Sequence, residues 1–148
     1  MTLFDFGLAC AVGATRDRAL CVGTMEYAAP EQIRGGTVDR RADIYSLGCL
    51  LYELVTGRPP FRGDSSSEIA DRQMWRAPVA PSDAIADVPS RLDDLILSML
   101  EKLPEHRPDD AAEIGRRIGE IARRAQQASR VVPRGRAFFQ EVRLRYAG

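Results

Sequence analysis

Gly23-Thr24-Met25-Glu26-Tyr27-Ala28-Ala29-Pro30-Glu31 is the stretch on which the reading of this chain turns. Pro30 suits the first position of a short helix, where a missing backbone N–H costs nothing. Gly35-Gly36 then ends that helix, because glycine takes up the left-handed conformation of a helix terminus without strain. Upstream stands Asp5-Phe6-Gly7, entered by Thr2-Leu3-Phe4, which reads as the end of a strand. From Gly7 to Tyr27 the chain carries Gly13, Gly23, mixed polarity and no sustained period, and it reads as loop.

Downstream the chain reads as helical. Ile44, Leu47, Leu50, Leu51, Leu54 and Val55 keep a helical spacing within Asp39–Thr56, with Tyr45, Cys49 and Tyr52 on other faces. A helix apolar nearly all round is expected to be buried. Gly57 stops it and Pro59-Pro60 prevents its continuation. Ser65 with Glu68 makes a capping box for a helix through about Trp75. Pro78, Pro81 and Pro89 punctuate a loop. Ser90 opens a helix bearing Leu92, Leu95, Ile96, Met99 and Leu100, which Pro104 closes. Pro108 and Asp110, with Glu113, open a last helix carrying Ile114, Ile118 and Ile121. Its pattern fades after Ala125. Val142, Leu144 and Tyr146 give a weak strand signal.

The 148 residues suffice for one ordinary domain, and 45% hydrophobic with 28% charged residues is the balance of a soluble globular protein. A formal net charge of zero argues against a polyanion-binding chain, so no nucleic acid is expected as partner. Nine arginines against Glu120 and Glu141 crowd Gly115–Gly148, read as a solvated face rather than a nucleic-acid or lipid contact. Cys10, Cys21 and Cys49 are odd in number and form no Cys-x-x-Cys pair, which suits a reducing cytoplasm. The apolar run near Leu47–Val55 is too short to span a membrane and carries Glu53.

Asp-Phe-Gly followed by Gly-Thr-x-x-Tyr-x-Ala-Pro-Glu resembles the activation segment of serine/threonine protein kinases of the bacterial, eukaryotic-like type. The order of segments over residues 2–123 is similar to that family's helical lobe. The resemblance implies a mainly α fold, an activation segment plus about five helices over residues 1–124. The N-lobe and catalytic loop would be absent, and residues 125–148 would form a basic tail or linker. It implies phosphoryl transfer from ATP, with Mg²⁺, to serine or threonine of a protein substrate. Asp5 matches the metal-binding aspartate, with Phe6 and Gly7 completing the motif. Thr24 and Tyr27 match the positions that face the acceptor residue. Thr15 is either an activation-loop phosphosite or an ordinary loop hydroxyl. Asp43 matches an aspartate that holds the catalytic loop, and is otherwise a first-turn carboxylate favourable to the helix dipole. Glu31 and Arg107 match the family's buried ion pair, for which guanidinium geometry is suited. His106, beside Arg107, is read as structural or exposed, and Trp75 as a packed aromatic in preference to a docking contact for a partner.

The family also uses a Gly-rich loop, a phosphate-binding lysine, and a His-Arg-Asp loop followed by asparagine. This sequence has one lysine, Lys102, no asparagine, one histidine, His106, and no G-x-G-x-x-G. Each such group contributes several kcal/mol to the transition state, so the chain alone is expected to be inactive and its own binding of ATP and Mg²⁺ is in doubt. The chain is expected to be a C-terminal portion of a kinase, with Met1 an internal methionine. The alternative is a non-catalytic interaction module that holds peptides or a partner kinase segment. Either way, helix surface normally covered in the family would be exposed and would favour self-association.

Overall fold

The computed structural model describes residues 22–131. Asp5-Phe6-Gly7, Thr15, Cys10, Cys21 and the weak strand near Val142 lie outside the described residues. Within them the fold is mainly α, with no strand. A 3-10 turn over Val22–Tyr27 precedes α1 (Pro30–Ile33), α2 (Arg40–Thr56), α3 (Ser66–Trp75), α4 (Pro81–Ala84), α5 (Ser90–Met99), a 3-10 turn over Pro104–His106, and α6 (Ala111–Val131).

Helix α2 is the axis. The Asp39 side chain accepts from the Arg41 N–H at 2.8 Å and satisfies a donor that the first turn leaves free. Gly57, at φ 77°, closes the other end by donating to the Glu53 carbonyl at 2.7 Å. Tyr45, Cys49 and Tyr52 follow an i, i+4, i+7 stripe and pack with Ala29, Ala42, Ile96 and Leu100. Ile44, one position round the helix, packs with Leu95, Met99 and Ile114. α2 and α5 thus share one buried seam. Gly48 allows their close approach: a Cβ there would stand 2.9 Å from the Met99 Cβ.

Burial does not extend all round α2. Leu50 is 45% and Leu54 40% exposed, so the expected fully enclosed helix has one open apolar face in the described structure. Three further expectations change. The stretch ending at Tyr27 is not loop throughout, because Val22–Tyr27 forms a 3-10 turn. The proline-punctuated loop holds the single turn α4, with Pro81 at its first position and buried. The last helix continues past Ala125 to Val131: alanine, glutamine and arginine sustain helix by propensity after the apolar stripe ends.

The caps of the shorter helices are local. Ser65 accepts from the Glu68 N–H at 3.2 Å, and Glu68 reaches back to the Asp64 N–H at 2.9 Å. Asp110 accepts from the Glu113 N–H at 2.7 Å and opens α6.

Candidate functional site: a platform pinned to the helical body

The segment from Val22 to Ile33 is a short turn, the two-residue linker Ala28-Ala29 and one turn of helix. Little of it can be stable alone, since isolated helices this short are unfavourable in water. Its order comes from side chains elsewhere in the chain. At α1, the Gln32 side chain accepts from the Ala29 N–H at 2.9 Å and caps the helix start. Ala28 and Ala29 are buried, and Ala29 joins the α2 core. Gly36 donates to the Glu31 carbonyl at 2.9 Å and turns the chain away.

Glu31 and Arg107 meet in a two-point ion pair, Nη1 to Oε1 at 2.7 Å and Nη2 to Oε2 at 2.8 Å. The Arg107 side chain is fully enclosed. Its remaining donors reach the carbonyls of Glu101 and Arg41, both at 2.8 Å, and of Lys102 at 3.3 Å. One guanidinium therefore ties α1, the start of α2 and the turn before α6. All five of its N–H bonds have acceptors on the fork geometry that suits arginine.

A second tie is made by Gln73 on α3. Its Nε2 donates to the carbonyls of Glu26 at 2.7 Å and Met25 at 3.3 Å. Its Oε1 accepts from the Tyr45 hydroxyl at 2.5 Å. Lys102 completes the group: Nζ donates to the Gln73 carbonyl at 2.7 Å and the Tyr45 hydroxyl at 3.2 Å. The same ammonium lies 4.0 Å from the Phe61 ring centroid and 5.6 Å from that of Tyr45, within cation–π range. Burial holds the Lys102 pKa down, to about 8, and raises that of Tyr45. Cys49, fully buried beneath, is pushed up to about 12 by burial and is an inert core thiol.

Tyr27 ends the platform. Its hydroxyl donates to Glu53 Oε2 at 2.5 Å, and its carbonyl accepts from the Ser46 hydroxyl at 2.8 Å. The hydrogen bond to Glu53, followed by burial and the carboxylate's charge, raises the Tyr27 pKa to about 12, so the phenol stays neutral. Thr24 sits within the same 3-10 turn.

The other sites named from the sequence are placed as follows. Asp43 stands exposed in the first turn of α2. His106 is exposed beside the buried Arg107. Trp75 is 72% exposed, which overturns the packed reading: it is the last residue of α3, and the Arg34 guanidinium lies 4.9 Å from its ring centroid.

Sequence reasoning missed Gln73, Tyr45 and Lys102 as a unit. One signal was available: Gln73 follows Ile69 by four residues, on the buried face of an otherwise polar helix. Among the described residues, no group of three or more His, Cys, Asp or Glu side chains could hold a metal ion. The only lysine has its ammonium committed to Gln73, Tyr45 and two rings. Among the described residues, then, the one lysine is not free to meet a phosphate.

The chain belongs to the protein kinase domain family, whose model matches residues 1–116. It is 47% identical over 116 residues to the serine/threonine-protein kinase PknB of Mycolicibacterium smegmatis, covering 76% of this chain and 19% of that protein. To PknB of Mycobacterium leprae it is 43% identical over 115 residues, 76% of this chain and 18% of that protein. A probable serine/threonine-protein kinase PknB of Corynebacterium glutamicum is 39% identical over 131 residues, 83% of this chain and 20% of that protein. The chain thus spans about a fifth of the length of these curated relatives. No helix among the described residues is long and apolar enough to cross a membrane.

Proposed function

We propose that this chain carries the acceptor side of a serine/threonine protein kinase, an enzyme moving a phosphoryl group from ATP to a protein hydroxyl. The observation that supports it most is the enclosed Glu31–Arg107 pair, which fixes Ala28-Ala29-Pro30-Glu31 to the helical body. With Gln73 holding the carbonyls before it, the Val22–Tyr27 turn becomes a rigid ledge for an acceptor peptide. Positioning of this kind is what phosphoryl transfer requires of a protein.

In this reading Thr24 and Tyr27 face the acceptor, Asp5 binds Mg²⁺, Phe6 and Gly7 set its turn, and Thr15 is a phosphorylation site. Asp43, exposed in its helix's first turn, is the anchor for a catalytic loop. ATP and Mg²⁺ are handled by groups beyond the described residues, in the cytoplasm, and the partners are a protein substrate or a kinase segment. A chimera tests the reading: residues 1–116 of this chain replace the matching segment of the Mycolicibacterium smegmatis PknB relative. Transfer of labelled phosphate to serine or threonine peptides, lost with Asp5→Ala, is the expected result. A folded but inactive chimera would sink it.

A further inference from the structure

A groove that the platform leaves unused lies between the end of α2, the Pro-Pro-Phe turn and the far side of α3. Its volume is about 200 Å³. Arg58, Arg62, Arg72 and Arg76 line it, with Tyr52 and Phe61 at an apolar floor, and among the described residues no acidic side chain lines it. Arg72 is partly committed, paired with Glu68 and donating to the Arg62 carbonyl. Arg58, Arg62 and Arg76 are exposed, and among the described residues none of them forms a salt bridge. Burial raises the Tyr52 pKa; the charge of Arg58 lowers it, and those of Asp83 and Asp93 raise it. In a chain of zero formal net charge, the groove is a local concentration of cation around a concavity.

We infer that this groove binds a peptide segment carrying phosphoserine or phosphothreonine. Three guanidinium groups without carboxylate partners among the described residues suit a dianionic phosphate, which arginine grips at two points and lysine does not. A groove of about 200 Å³ holds one phosphorylated side chain with an apolar neighbour against Tyr52 and Phe61. It is too small for nucleic acid, whose single strands need a track several nucleotides long. The groove is separated by α3 from the Val22–Tyr27 ledge: Gln73 faces the ledge, while Arg72 and Arg76 face the groove. A polypeptide already phosphorylated at one position can be held there while another part lies on the ledge. The inference rests on the kinase reading only for the origin of such peptides.

Fluorescence anisotropy on the 148-residue chain tests it without nucleotide. The probes are a labelled phosphothreonine peptide, its unphosphorylated form, a single-stranded oligonucleotide and phosphatidylserine vesicles. The phosphopeptide should bind at least about tenfold more tightly than the unphosphorylated form, the worth of a single charge-assisted hydrogen bond. Arg58→Gln with Arg76→Gln, both at exposed positions, should abolish that difference; so should raised salt. Equal binding of the two peptides, indifference to the double substitution, or tighter binding of oligonucleotide or vesicles would each overturn the inference. No transfer step enters the assay, so its failure leaves the chimera result standing, and an inactive chimera leaves the groove standing.

Discussion

Replacing Arg107 by alanine isolates the contact that holds the platform. The substitution leaves Glu31 a buried carboxylate without its counter-charge and removes donors from the carbonyls of Arg41, Glu101 and Lys102. Breaking a buried pair by deleting one partner costs about 3–5 kcal/mol, chiefly because the surviving charge stays desolvated. Total stabilities of single domains are about 5–15 kcal/mol, so this is a large share. At about 4 °C per kcal/mol for a chain of this size, Arg107→Ala should lower Tm by roughly 12–20 °C. Circular dichroism on the 148-residue chain reads this directly. Two companion variants separate charge from geometry. Arg107→Lys keeps the charge but loses the fork and should fall between. Glu31→Leu with Arg107→Leu removes the orphaned charge and should melt above Arg107→Ala. A single variant melting within about 2 °C of the parent would refute the argument, since the observed geometry leaves no cheaper way to satisfy Glu31.

Three further outcomes follow from the same coordinates. Gln73→Leu strips the donor from the Glu26 and Met25 carbonyls and should cost about 1–3 kcal/mol in urea unfolding, with faster amide exchange confined to residues 22–28. Tyr27 has its pKa raised from 10.0 to about 12, so the unfolded chain loses that proton first. The stability it contributes is therefore complete below pH 10 and lost as pH rises towards 12, and in Tyr27→Phe this part of the decline should vanish when compared with the parent. Leu50 and Leu54 are exposed on α2, so the chain should self-associate in light scattering, and Leu50→Glu with Leu54→Glu should return it to monomer; an unchanged oligomer would contradict that.

How much of this was legible beforehand depends on whether an element is held locally. α2 shows its apolar repeat and its Gly57 stop within one stretch, and the structure reproduces those limits to within a residue. α3 is announced by Ser65 and Glu68 in the same way. The Val22–Tyr27 turn carries no such pattern, because its order comes from Gln73, Ser46 and Glu53, none of them near it in sequence. Lys102 reads as an ordinary loop lysine until Tyr45, 57 residues away, and Phe61 close around it. The Glu31–Arg107 contact, separated by 76 residues, was named only through the family resemblance, since no spacing rule joins such positions. Trp75 misled for a related reason: a large aromatic at a helix end packs or protrudes according to what lies beyond that end, and here the ring stays 72% exposed. The groove of arginines was invisible because Arg58 and Arg76 belong to different elements and only the fold brings them together.

The central proposal is that this polypeptide, taken alone, presents an acceptor surface and does not bind nucleotide tightly. Titration calorimetry of ATP with Mg²⁺ into the 148-residue chain, with a parallel assay for labelled phosphate reaching a serine or threonine peptide, tests that claim most directly. The account predicts neither heat of binding nor transfer at nucleotide concentrations up to about 1 mM, the upper end of ordinary enzyme KM values. Magnesium-dependent binding in the micromolar range, or phosphate transfer abolished by Asp5→Ala, would contradict it.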